Sequence, residues 1–229
     1  MSRQTNITRI KAVAQALQEL NQQVVFVGGA TVALYATTPA APEARPTDDV
    51  DLIIQLASYG GYAGLDEKLR LIGFTNDITS NIICRYQVQG ITVDIMPTQP
   101  DIIGFSNQWY PEGFAHAVTV TLDQQEVKIF SVPYFLATKL EAFKSRGQNS
   151  YRTSSDFEDI VYVLENNNKL PESLSQTTGE LRQYLKTTFA RFLDDPDFEE
   201  GLYSHLEPFH APIISQEIIK ILRGFTSTQ

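Results

Sequence analysis

The residues best suited to chemistry in this sequence are three aspartates. Asp49 and Asp51 stand in "RPTDDVDLII", residues 45–54, and Asp94 in "ITVDIMP", residues 91–97. Carboxylates repel one another, so acids crowded before an apolar run point to a cation that joins them. In a strand, residues two apart share a face, so Asp49 and Asp51 point one way and Asp48 with Val50 the other. Two carboxylates at that spacing can bracket a divalent ion. For an isolated D-x-D the commoner explanation is a solvated strand edge or a cap.

Three features argue for the ion. The apolar run follows the acids here, whereas the strands of many phosphatases and sugar transferases end in D-x-D. In "VFVGGATVAL" Gly28 and Gly29 fall between a strand and a helix, where backbone N–H groups can hold a phosphate. A tight turn is the alternative for that pair. Asp94 is framed by Val93 and Ile95, and a carboxylate is costly to bury there unless it is paired or metal-bound.

The elements that must position these residues follow from periodicity. Residues 7–20 carry Ile7, Ile10, Val13, Ala14, Leu17 and Leu20 at helical spacing. "VVFVGG" reads as a buried strand, "ATVALYA" as helical, "TTPAAPEARPT" as a proline-broken loop and "DVDLIIQL" as a strand. "LDEKLRLIG" is a helix closed by Gly73. "IICRYQVQGITVDIMP" is a hairpin turning near Gln89 and Gly90, and "HAVTVTLDQQEVKIFSV" another turning near Asp123 to Gln125. From Pro133 the texture is helical: "PYFLATKLEAFKSRG" stopping at Gly147, "SSDFEDIVYVLENN" with a capping serine, "TGELRQYLKTTFARFL" and "ISQEIIKILRGF". The expected organisation is a mixed α/β part over 1–132 and a helical part over 133–229, an α+β class.

At 229 residues the chain can bury one large core or two small ones. A single cysteine, Cys84, excludes an intramolecular disulfide and reads as an inert strand residue. The N-terminus lacks a signal-peptide pattern and no run reaches the length of a membrane span, so a soluble cytoplasmic protein with no membrane partner is expected. A net charge of −9 opposes long-range attraction to nucleic acid, so a polyanionic partner requires a local basic patch. His116, His205 and His210 have no metal-ligand spacing.

The glycine pair, the D-x-D and the later Asp94, in this order, resemble the DNA polymerase β-like nucleotidyltransferase superfamily. More narrowly, "GGATVALY", "RPTDDVDLII" and "PYFLATKLEAFKSRGQNSYRTSSDFEDIVYVL" resemble the AbiEii/MenT-type nucleotidyltransferases, over residues 24–165. The matching positions are Arg45, Thr47, Asp49, Asp51, Lys139, Arg146, Asp156 and Asp159. The link between Gly-Gly and D-x-D is longer and richer in proline than is usual in that family.

The resemblance implies a nucleotidyltransferase fold, a mixed twisted sheet with flanking helices followed by a helical C-terminal region. It implies an enzyme that moves an NMP from an NTP to an acceptor hydroxyl and releases pyrophosphate. Asp49, Asp51 and Asp94 would be catalytic and would hold two Mg²⁺ ions, with Mn²⁺ as the alternative; Asp94 would serve the acceptor side. Gly28, Gly29, Thr47, Lys139, Arg146 and Asp156 would bind the nucleotide, ATP or another NTP. Without the resemblance, Lys139 reads equally as the exposed face of a helix, and Asp156 and Asp159 as first-turn carboxylates favoured by the helix dipole. The expected setting is the toxin of a toxin–antitoxin pair with a cognate antitoxin and tRNA or another RNA as acceptor. A small-molecule or protein acceptor, or a non-catalytic nucleotide-binding module, is the alternative.

Overall fold

A computed structural model describes residues 2–39, 41–56, 59–80, 82–104, 106–146 and 150–228. Gly147, expected to end a helix, lies outside the described residues. The chain divides into two compact units, Met1–Leu34 with Glu43–Ser131 and Tyr35–Pro42 with Val132–Gln229.

The first unit is built on a seven-stranded mixed sheet. Its strands are β1 (Val24–Val27), β2 (Asp49–Ile54), β3 (Thr75–Asn76), β4 (Arg85–Val88), β5 (Ile91–Pro97), β6 (Val118–Leu122) and β7 (Gln125–Ile129), in the order β3-β4-β5-β2-β1-β7-β6. β2 runs parallel to β5 and antiparallel to β1, while β1 runs parallel to β7. β1 is apolar and buried at all four positions, which is the pattern of a strand covered on both faces. The hairpins fall where turn chemistry puts them. Gln89 and Gly90 have φ of 51° and 77°, the two positive values a type I′ turn demands, and Asp123 has φ 55° in the second turn.

Helix α1 (Ser2–Leu17) packs Ile10, Val13, Ala14 and Leu17 at helical spacing into the core and lies against β7, β2 and β5. It then tightens into 3₁₀ geometry over Gln18–Gln23. The segment after the glycine pair, Gly29–Tyr35, is a 3₁₀ helix rather than the α-helix its composition suggests. Its two β-branched residues and short length favour the tighter form. The unit also holds α2 (Tyr59–Leu71), α3 (Pro100–Ile103) and α4 (Tyr110–Ala115). The two short helices escape a periodicity reading because neither completes two turns.

The second unit is helical: α5 (Val132–Arg146), α6 (Ser155–Asn166), α7 (Leu170–Ser175), α8 (Gly179–Asp194), α9 (Phe198–Tyr203) and α10 (Ala211–Ser227). Ser154 caps α6 by accepting from the Phe157 amide at 3.3 Å. The proline-rich residues Tyr35–Pro42 belong to this unit. Asn166 accepts from the amides of Thr37 and Thr38, Tyr162 donates to the Pro42 carbonyl, and the Tyr35 ring sits 4.4 Å from that of Phe135. The core is aromatic: Phe143, Tyr151, Phe157, Phe192 and Phe198 pack ring on ring with centroids 4.8 to 6.1 Å apart. Helix α9 enters this cluster at Gly201, where a Cβ would stand 2.4 Å from the Cβ of Tyr151.

Gly201→Ala is therefore expected to destabilise the protein by about 1–3 kcal/mol through overpacking. A thermal melt should show the midpoint fall by roughly 2–4 °C per kcal/mol. An unchanged midpoint would mean the Tyr151 contact is not tight.

Candidate active site

Strand pairing brings the three acids together. Asp51 on β2 is the lateral neighbour of Asp94 on β5, and residues so paired project from the same face of a sheet. Asp49 lies two residues before Asp51 and shares that face. One carboxylate oxygen from each of Asp49, Asp51 and Asp94 falls within 4.8 Å of the others. Asp48 is exposed and outside this group. The cost of like charges at this range rises as water is excluded, and Asp94 is only 8% exposed.

The glycine turn backs the acids directly. Val27, the last residue of β1, pairs with Asp51, so the chain turns at Gly28 beside that carboxylate. Gly28 has φ 72°, and a Cβ there would stand 2.0 Å from Asp51 Oδ2. At Gly29 a Cβ would meet the Arg45 guanidinium at 2.7 Å and the Thr47 methyl at 2.8 Å. The two glycines and the "RPTDDVD" stretch are thus one packing unit: each glycine lacks a side chain because a residue of the other segment occupies the space.

Asn6, fully buried on α1, fixes the approach to the acids. It donates to the Arg45 carbonyl at 3.0 Å and accepts from the Thr47 amide at 3.3 Å. Arg9 donates to the Thr47 carbonyl. The buried Thr47 hydroxyl donates to the Asp49 carbonyl at 3.0 Å, so its visible work is to hold the start of β2.

A fourth charged side chain joins the acids. Arg85 on β4 pairs in register with Asp94. Its Nε donates to Asp94 Oδ1 at 2.8 Å and its Nη2 to Asp94 Oδ2 at 2.7 Å, a two-pronged charge-assisted contact. The same Nη2 reaches Asp49 Oδ2 at 3.3 Å. Arg85 stands outside the motifs that the sequence singles out. Hydrogen bonding to Asp94 raises its guanidinium still further above its ordinary range, so it stays charged. Beside it, burial and then the Asp94 charge push the Cys84 thiol up to about 12, so it remains an unreactive thiol at neutral pH.

These residues fit a divalent cation. The three carboxylates and Arg85 leave a formal excess of two negative charges. The donors are hard oxygens, the kind Mg²⁺ or Mn²⁺ takes, and Gly28 leaves Asp51 uncrowded.

In the helical unit the matching residues form a second network. Lys139 on α5 is buried and its Nζ lies 3.0 Å from Asp156 and 2.6 Å from Asp159 on α6. Arg146 donates to both oxygens of Asp156 at 2.7 and 2.9 Å, with its own side chain 70% exposed. This corrects two of the simpler readings. Lys139 is not on a solvated helix face, because the positions around it on α5 are core. Asp159 is 1% exposed and ion-paired, and it lies just past the first turn of α6. Burial opposes charge on Lys139, but Asp159 and Asp156 outweigh it and raise its pKa, so it stays protonated. Burial likewise raises Asp156, and the Arg146 hydrogen bonds with the Lys139 charge reverse this and hold it at about 2.

A carboxyl held below its unfolded value of ~3.9 contributes stability that is complete above that value and is lost as pH falls through its folded value. The helical unit should therefore weaken between about pH 4 and pH 2, where Asp156 takes up its proton. Thermal melts of wild type and Asp156→Asn at pH 7 and pH 2.5 check this. At pH 7 the variant should be less stable by about 3 kcal/mol, and its loss on acidification should be smaller than that of wild type. Parallel losses would show that Asp156 is not the titrating group.

The fold has a known counterpart. No curated protein matches the sequence. Among solved structures the chain is similar to an antigenic nucleotidyltransferase-like protein from Paracoccidioides brasiliensis, at 21% identity and a TM-score of 0.53, over 90% of this chain and 96% of that one. This likeness shows that the fold is nucleotidyltransferase-like. The family model described as nucleotidyl transferase AbiEii toxin, type IV TA system, matches residues 11–228, which takes in the helices beyond residue 165 as well as the motifs. The chain belongs to the AbiEii family of nucleotidyltransferase toxins and is a nucleotidyltransferase.

Proposed function

We propose that the protein transfers an NMP from an NTP to a hydroxyl of an RNA acceptor, tRNA being the first candidate, with Asp49, Asp51 and Asp94 as the metal-binding and catalytic acids. Family membership implies an NTP substrate, a divalent metal and a cognate antitoxin. The observation that carries the reading is the group of three carboxylate oxygens within 4.8 Å on neighbouring strands, backed by a glycine that leaves them room. Mg²⁺ bound there would neutralise charge at the α-phosphate and activate the attacking hydroxyl.

The roles of the chain's own residues follow from their positions. Asp49 and Asp51 hold the nucleotide side. Asp94 serves the acceptor side, where its carboxylate would take the hydroxyl proton; without metal both of its oxygens accept from Arg85. The backbone N–H groups of the Gly28–Gly29 turn, packed beside Asp51 and Arg45, would bind phosphate oxygens. Thr47 fixes the strand entry, and Arg45 beside Gly29 adds positive charge for phosphate. Arg146 is exposed yet pinned by Asp156, a pre-organised cation for phosphate, and Lys139 acts by holding Asp156 in place. The arginines 9, 45 and 85 lie around the acid motif of a chain whose net charge is −9, which supports an anionic substrate against the global charge. No helix among the described residues is long and apolar enough to cross a membrane.

Labelled NTP incubated with separate RNA, protein and small-molecule pools tests the acceptor. Label should enter RNA; label confined to protein or small molecules would overturn that part. Asp49→Asn or Asp51→Asn should abolish transfer with the fold intact by circular dichroism, and near-normal turnover in Mg²⁺ would contradict the metal assignment. Gly28→Ala, which puts a methyl where the Asp51 carboxylate lies, should lower turnover by on the order of 10²-fold for a displacement of about 1 Å. Unchanged turnover would show that the glycine is there for the turn alone. Lys139→Ala removes the buried cation that Asp156 and Asp159 share and leaves Arg146 on Asp156, so it should cost about 3–5 kcal/mol of stability. A melt close to that of wild type would contradict a buried pairing.

A further inference from the structure

Arg85 lies outside the family-like motifs, yet its guanidinium makes three contacts to two of the three acids. It satisfies both oxygens of Asp94 and one of Asp49, and its side chain is 22% exposed. The arrangement is fixed by topology: a two-residue turn at Gln89 and Gly90 sets Val88 against Ile91, and counting back sets Arg85 against Asp94. A planar guanidinium matches a carboxylate fork in a way a lysine does not.

Resting on the metal reading above, we propose that Arg85 is a built-in counter-cation that holds Asp94 and Asp49 while no metal is bound and competes with the divalent ion for them. Two consequences follow from charge alone. Without metal, the guanidinium offsets carboxylate repulsion, so the acid strands stay registered. With a divalent ion among the same oxygens, the guanidinium and the ion repel, so metal held by the protein alone is weakened. An NTP brings negative charge that offsets the repulsion, so full metal loading is tied to arrival of the nucleotide. Arg85 is thus a positioning residue that couples metal to substrate.

The test is Mn²⁺ binding followed by the loss of free-ion paramagnetic resonance signal, with no nucleotide present. Arg85→Gln should bind Mn²⁺ at least roughly tenfold more tightly than wild type, since a cation beside the ion is removed. Arg85→Lys, which keeps the charge, should stay within about threefold of wild type. With ATP added, the gap between wild type and Arg85→Gln should narrow. Unchanged or weaker Mn²⁺ binding by Arg85→Gln, with Asp49→Asn impaired, would overturn the inference and leave the metal reading standing. Wild-type affinity in Asp49→Asn would remove both. If Arg85→Gln does not fold, the wild-type Arg85 Nε–H resonance decides: slow exchange without metal that becomes fast at saturating Mg²⁺ supports competition, and protection retained at saturation overturns it.

Discussion

The constraint on which the first unit depends is the repulsion among Asp49, Asp51 and Asp94, whose oxygens are held within 4.8 Å. A parallel pairing of β2 with β5 forces Asp51 beside Asp94 whether or not charge favours it. The hydrophobic strand interiors supply the force that keeps that register. Val50, Leu52, Val93 and Ile95 are all buried on the face opposite the acids, and a slip by one residue would turn them to the acid side. The acids are therefore carried by the core, and Arg85 on one side and the side-chain-free Gly28 on the other make the arrangement tolerable.

The helical unit meets a similar problem by the opposite means. Its acids, Asp156 and Asp159, are saturated by Lys139 and Arg146, and little charge is left over within the network. A buried, fully paired network gives a fixed geometry more than net stability. The open excess of negative charge in the sheet unit is the feature suited to a cation, and the exposed guanidinium of Arg146 is the feature suited to an anion.

Much of this is legible in the sequence. Alternation in "DVDLII" gives the shared face of Asp49 and Asp51, and the apolar frame of "ITVDIMP" gives Asp94 as a strand residue that needs a partner. Glycine chemistry gives the turn at residues 28 and 29, though not that Asp51 and Arg45 fill the space over it. Arg85 was within reach of the same logic, since a two-residue hairpin turn fixes the cross-strand partner of every residue. Asn6 carries a fainter signal, a polar residue one turn before Ile10 on an apolar helix face. What could not be read locally is long-range. Which strands lie parallel, the assignment of Tyr35–Pro42 to the helical unit, and the burial of Lys139 depend on contacts between segments far apart in the chain.

Asp49, Asp51 and Asp94 are proposed as a metal site for nucleotide transfer. The most direct measurement is a crystal structure with Mn²⁺ and a non-hydrolysable NTP, with the ion located by anomalous scattering. An anomalous peak ligated by oxygens of Asp49, Asp51 and Asp94 and by the nucleotide phosphates is expected. Nucleotide bound with no ion at the three acids, and Asp94 bonded only to Arg85, would contradict it.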